Sequence, residues 1–192
     1  MLQVQAGNEA AFGQLMHRWE LPVKRFIGRL VFNIAEAEDL AQETFVRVWR
    51  HRDKFRPDAT FRPWLFTIAL NLARNRLRWW RLRPSISLDQ WSEGEGTVAG
   101  NITAEVRPAR AELETKERAL AVRAAIAELP VDLREALVLS EFEQMTQAEI
   151  AATVGASRKA IESRIARAKQ KLRDRLAEWW SESDEPRRVR IG

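Results

Sequence analysis

The stretch TQAEIAATVGASRKAIESRIARAKQKLRDRL, residues 146–176, decides the fold class. Thr146 is followed three residues later by Glu149, the pattern of a capping box, so a helix begins there. Gly155 stops that helix, and Ser157 caps a second, longer one. On the longer helix Ile161, Ile165, Ala168, Leu172 and Leu176 recur at four- and three-residue steps, which defines one buried stripe. A short helix, a glycine turn and a second, basic helix is the pattern of a helix-turn-helix. Immediately upstream, Leu113, Leu120, Ile126 and Leu129 lead to Pro130, which opens a helix through Leu137 and Phe142.

Moving toward the N-terminus, residues 84–109 read PSISLDQWSEGEGTVAGNITAEVRPA, rich in Gly, Ser, Pro and Thr and without helical period. That composition makes a tether, longer than an ordinary connection, so it separates domains or serves a function. A second helical block precedes it. Asn8 caps a helix carrying Ala11, Phe12, Leu15 and Trp19; Pro22 ends or restarts it; Val23, Phe26, Ile27 and Leu30 continue the stripe. Asn33 marks a turn, and residues 35–51 form a strong helix with Leu40, Phe45, Val48 and Trp49 buried. Pro57 and Asp58 break the chain before a further helix over 62–82. No strand alternation of useful length occurs. The expected architecture is all-α: two small helical domains, 1–83 and 112–180, joined by a flexible linker, 84–111, and followed by a polar tail, 181–192.

Composition excludes several classes of function. A chain of 192 residues buries a core without staples. It has no Cys, which removes disulfides, thiolate metal sites and a Cys nucleophile together. His17 and His51, the two histidines, stand far from any second ligand cluster, so no metal site is expected. There is no glycine-rich phosphate loop, no serine elbow and no triad, so neither catalysis nor a cofactor is expected. No run approaches the roughly 18 apolar residues of a membrane span, and MLQVQAGNEAAF lacks the layout of a signal peptide. The expectation is a soluble, cytoplasmic protein without membrane insertion.

Charge points to a polyanion. The net charge is +5, but residues 1–83 alone carry 15 basic and 8 acidic groups. Five Arg and no acid lie between Arg74 and Arg83, and eight basic groups face only Glu162 and Asp174 between Arg158 and Arg175. One such run fits a solvated helix face; two separated runs suggest two contacts.

On the helix after Pro63, Thr67, Asn71, Arg74, Asn75 and Arg78 fall on one narrow arc at 100° per residue. Leu65, Ile68, Ala69, Leu72, Ala73 and Leu77 cover the opposite side, with Trp79 beside the polar arc and Trp64 near it. Amides bond base edges, guanidinium groups pair with phosphate, and an indole offers a stacking plane worth about 1–3 kcal/mol per unstacked base. The combination suits single-stranded DNA. Any single Trp fits the core equally well.

On the long helix the side opposite the buried stripe carries Lys159, Ala160, Ser163 and Arg167, with Arg158 and Arg164 near its start and flank. The N-terminal half of such a helix enters a major groove, where Arg or Lys reads guanine. Glu162 either accepts from cytosine or, more simply, pairs with Arg158 four residues earlier. A third feature has the opposite sign. AEAEDLAQET, residues 35–44, crowds Glu36, Glu38, Asp39 and Glu43, with Gln42, at a helix start. The helix N-terminus accounts for one or two of these acids, and a docking face for a basic protein for the rest. Leu40 and Phe45 between them anchor either the core or that partner.

EDLAQETFVRVW (38–49) followed by FRPWLFTIALNLARNRLR (61–78) resembles region 2 of bacterial sigma-70 family transcription initiation factors, most closely the extracytoplasmic function subfamily. ELPVDLREALVLSEFEQMTQAEIAATVGASRKAIESRIARAKQKLRDRL (128–176) resembles region 4 of that subfamily. The two cover most of the chain, in order and with the expected linker. The resemblance implies that Asp39, Leu40, Gln42, Glu43 and Phe45 dock on the β′ clamp helices of core RNA polymerase. It implies that Trp64, Asn71, Arg74, Asn75, Arg78 and Trp79 hold the −10 element as a single strand with flipped bases and so promote melting. Arg158, Lys159, Ser163, Arg164 and Arg167 would read the −35 duplex, region 4 would touch the β flap, and an anti-sigma factor would hold the protein inactive. The recognition helix departs from the family's Gly-Thr-Val, basic residue, Ser-Arg start: Lys159, Ala160, Ile161 and Glu162 precede Ser163 and Arg164.

Two other readings compete with a promoter-specificity subunit. A mimic that only sequesters an anti-sigma factor should lack the basic, aromatic arc. A helix-turn-helix repressor would need neither the acidic 36–43 cluster nor a single-strand face.

Overall fold

A computed structural model of the chain describes residues 1–82 and 109–183, and every regular element among them is a helix. The N-terminal group comprises α1 (Leu2–Gln5), α2 (Glu9–Val31), α3 (Ile34–Arg50), a 3-10 turn (Arg52–Lys54) and α4 (Phe61–Leu82). The C-terminal group comprises α5 (Ala109–Glu128), α6 (Val131–Glu141), α7 (Gln147–Val154) and α8 (Arg158–Ser183). Helix α5 thus starts inside the stretch expected to be linker, and α8 runs past the expected start of the tail; residues 83–108 and 184–192 lie outside the described residues.

Asn8 opens α2 by accepting a bond from the Ala11 N–H at 3.0 Å. The expected break at Pro22 does not occur, and α2 runs unbroken through it. Proline inside a helix lacks a donor and costs about 3 kcal/mol. Val23, Phe26, Ile27 and Leu30, just beyond it, are wholly buried or nearly so. Each such burial contributes about 1.5–3 kcal/mol, so packing outweighs the local penalty. Helix α2 stops at Phe32, which has left-handed backbone at φ 56°. That conformation disfavours a bulky residue, and it is held by packing. The Phe32 ring carries the Arg134 and Arg123 guanidinium groups at 5.1 and 5.9 Å.

Asn33 then caps α3 through the Glu36 N–H. The α3 stripe of Ala37, Leu40, Ala41, Thr44, Phe45 and Val48 is buried. Trp49, expected in the core, is half-buried between Phe12, 4.9 Å away, and the Arg52 guanidinium, 4.4 Å away. The 51–60 loop is anchored from α1: the Gln5 amide donates to the Arg52 and Phe55 carbonyls at 2.9 and 2.7 Å. Phe55, itself buried, packs on Phe61 and Trp64 and so fixes the start of α4.

In the C-terminal group the expected capping box is present, with Thr146 and Glu149 bonded reciprocally. Gly155 ends α7 at φ 76°, a conformation that favours glycine, and the Ser157 hydroxyl caps α8 through the Ala160 N–H. Ile126, Leu129, Leu133, Leu137 and Ala168 form a small core between α5, α6 and α8.

The two groups are not separate bodies. Val138, Leu139, Met145, Ile150, Ala151 and Ile161 belong to the same buried cluster as Phe26, Phe66 and Leu70. Arg134 pins the junction. Its guanidinium donates to the Leu30 carbonyl at 2.7 Å and the Leu129 carbonyl at 3.0 Å, and also to that of Ala127. Burial is the leading influence on this group and pushes its pKa down; the neighbouring Glu135 opposes that.

Candidate nucleic-acid interface

The α4 face is built as its periodicity demands. Leu65, Ala69, Leu72 and Ala73 point into the core, whereas Asn71, Asn75 and Arg78 are exposed along the opposite side. Trp79 is 39 % exposed at the end of this face. Trp64 is half-buried among aromatic rings, 5.3 Å from Phe55 and 6.0 Å from Phe61, with one part left at the surface. Phe66 and Leu70, beside the polar arc, are also fully buried, so α4 is covered over more of its circumference than the sequence pattern implies.

The cover is the helix-turn-helix. Arg74 does not project freely: its Nε and Nη2 donate to the two Glu135 carboxylate oxygens of α6 at 2.7 and 2.6 Å. This bidentate geometry is the strongest form of the pair. The bond to Glu135 pushes the Arg74 pKa up against the effect of burial. Thr67, bonded within its own helix to the Pro63 carbonyl at 2.8 Å, also lies 3.3 Å from the Thr153 carbonyl of α7. A crevice of about 440 Å³ between the helices is lined by Ala59, Pro63, Trp64 and Thr67 on one side and Ala148, Glu149 and Ala152 on the other. Glu135 and Thr153 carried no local signal for this role, because their partners lie 61 and 86 residues away in sequence.

Helix α8 presents Arg158, Lys159, Ser163 and Arg167 at the surface, with Glu162 exposed among them. Arg164 is half-buried and sits 3.6 Å from Asp132 of α6. The expected Arg158–Glu162 ion pair does not form among the described residues: each side chain stands in solvent. One surface of α8 therefore presents four polar or cationic groups to solvent, with the Arg167 Nε 3.4 Å from the Ser163 carbonyl.

On α3 the acidic cluster divides. Asp39 and Gln42 are exposed; Glu43 is half-exposed and accepts from Arg47 at 2.8 Å. Glu38 pairs with Lys24 and Glu36 with Arg76. Leu40 and Phe45, expected among the docking residues, are 5 % and 2 % exposed and belong to the core. Their spacing of five residues, with Ala41 and Thr44 between, sets them on the inward stripe; the outward surface narrows to Asp39, Gln42 and Glu43. No group of His, Asp and Glu among the described residues is arranged to hold a metal, and no described helix is long and apolar enough to cross a membrane.

Comparison with known proteins agrees with the architecture. The family model Sigma-70 region 2 matches residues 15–81, and Sigma-70, region 4 matches residues 119–172. The RNA polymerase sigma factor CnrH of Cupriavidus metallidurans is 33% identical over 170 residues, covering 88% of each chain. The ECF RNA polymerase sigma-E factor of Escherichia coli K12 is 33% identical over 175 residues, covering 91% of each. A solved structure of CnrH in complex with the cytosolic domain of CnrY superposes with a TM-score of 0.67 at 32% identity, covering 92% of this chain and 94% of that one.

Proposed function

We propose that this chain, which belongs to the sigma-70 family of RNA polymerase sigma factors and within it to the extracytoplasmic function branch, uses three surfaces in initiation. The exposed α3 residues Asp39, Gln42 and Glu43 meet the β′ clamp helices of core polymerase. The α4 face, with Trp64, Asn71, Arg74, Asn75, Arg78 and Trp79, holds the unpaired −10 strand. Arg158, Lys159, Ser163, Arg164 and Arg167 on α8 read the −35 duplex. Affinity for the unpaired strand exceeds that for the duplex, so binding itself drives melting. An anti-sigma factor holds the protein inactive in the cytoplasm. CnrH, to which this chain is similar over most of its length, was solved with the cytosolic domain of CnrY, which supports such a partner. The apolar groove of about 560 Å³ lined by Val122, Ile126, Leu137, Phe142, Leu172 and Leu176 suits an apolar segment of the β flap.

The observation that carries the −10 assignment is the exposure of Asn71, Asn75, Arg78 and Trp79 along one side of a helix whose other sides are buried. Two substitutions separate the surfaces. Asn71→Ala is expected to weaken promoter opening by holoenzyme, read as permanganate reactivity of unpaired thymines, and to leave core binding intact. Glu43→Lys is expected to weaken binding to core polymerase. Unchanged opening in the first variant removes the strand assignment; unchanged core affinity in the second removes the docking assignment.

A further inference from the structure

Between Arg158 and Arg173 helix α8 carries seven cationic residues and one acid, Glu162. Its side chain is exposed, and by helical angle it lies between Arg158 and Lys159, one turn further along. The usual reasons for an acid at such a place do not hold here. The field of a helix N-terminus favours acids only within the first turn, and Glu162 is the fifth residue of α8. Its neighbours one turn back, Arg158 and Lys159, precede it, which is the weaker order for a helical ion pair. Neither pair forms among the described residues. One turn ahead stand Ile165 and Ala166, which bear no charge. Glu162 therefore contributes nothing to the packing of the chain, and on a helix that meets a polyanion it is repelled by phosphate. A base donor reverses that sign. An ionised carboxylate only accepts hydrogen bonds. In the major groove guanine presents two acceptors, thymine an acceptor and a methyl group, and adenine a donor beside an acceptor. Cytosine presents the N4 amine, a donor with no acceptor beside it. We infer that Glu162 is a specificity-determining residue of α8, accepting from the N4 amine of a cytosine in the −35 element. Lys159, Ser163 and the arginines supply affinity on this surface; Glu162 subtracts from affinity for every sequence that lacks the cytosine.

The inference rests on the assignment of α8 to the −35 duplex, and that assignment is read separately, from Arg167→Ala in the same assay. Holoenzyme is bound to a pool of promoters that share one −10 element and are randomised across the −35 element, and the bound fraction is sequenced. The parent chain is expected to prefer cytosine at one position of one strand by about 5- to 100-fold over the disfavoured bases. Glu162→Ala is expected to lose the preference at that position alone and to bind the pool as a whole more tightly, because a negative charge has left the interface. Glu162→Gln supplies an amide that both donates and accepts, and is expected to move that position toward adenine, whose N6 and N7 it fits. Glu162 is exposed, so both variants are expected to fold, which circular dichroism checks; Glu162→Gln, of the same size, carries the test if the alanine chain does not. A Glu162→Ala chain that binds more tightly with every base preference unchanged overturns the inference, since the carboxylate then only repels phosphate. A parent chain with no preference for cytosine overturns it as well. If Arg167→Ala alters −35 recognition and the Glu162 variants do not, the inference fails and α8 remains the reading helix. If none of them alters it, the assignment of α8 fails and the inference with it.

Discussion

Glu143 shows how a single residue makes the stability of the junction fall as pH rises. It sits just past the end of α6 and is 7 % exposed, with Arg29 of α2 3.7 Å away. Burial holds its carboxyl above the ordinary value of 4.5, outweighing the attraction of Arg29, Arg62 and Arg25. A group whose folded value is raised contributes stability that is present below the unfolded pKa and lost as pH rises through the folded one. Glu143→Gln carries no charge at any pH. It is expected to gain stability relative to the parent as pH rises from about 4 to about 7, read as the difference in urea midpoints. A difference that does not change with pH would contradict the burial argument. At this scale the sequence is informative only where a residue acts within its own helix. Asn8, Thr146 and Ser157 cap as their types and positions announce, and Asn33, expected as a turn, caps α3. Glu135 and Glu143 read as ordinary helix-surface acids, because nothing local says that α2 and α4 will cover them. Leu40 and Phe45 carry an ambiguity that periodicity alone leaves open: an apolar stripe looks the same whether it meets a core or a partner.

At the scale of the element, α2 and the α7–turn–α8 unit mark the two extremes of legibility. The helix-turn-helix follows from a capping box, a left-handed glycine and a serine cap, all short-range signals. Helix α2 contradicts a short-range signal, since Pro22 stands inside it and the chain does not stop. The reason is tertiary: the residues after Pro22 pack against α3 and α4, and ending the helix would expose them. The conflict leaves a measurable reserve. Pro22→Ala restores a donor toward the preceding turn, while the more flexible unfolded chain offsets part of the gain. The net expectation is a stabilisation of about 1–2 kcal/mol, a higher urea midpoint with an unchanged slope. A lower midpoint would mean that the proline's lost bond is replaced by some contact that alanine removes.

At the scale of the whole molecule, the all-α class and the two helical groups follow from the sequence, but their relation does not. A long stretch without period reads as a tether between independent bodies, and a tether carries no information about whether its two ends meet. What joins the groups is a set of contacts between residues far apart in the chain: Arg134 on Leu30, Glu135 on Arg74, Thr153 beside Thr67. Their consequence is functional. The α8 reading surface stays exposed in the closed chain, while the α4 strand surface is partly covered.

The central claim is that this chain confers promoter selection and melting on core polymerase. Run-off transcription from genomic promoter fragments, with purified core polymerase and with or without the chain, tests it most directly. The expected result is discrete transcripts that appear only when the chain is present, with start sites that share common sequences about ten and about thirty-five base pairs upstream. Core polymerase that binds the chain and yields no such transcripts from any fragment would contradict it.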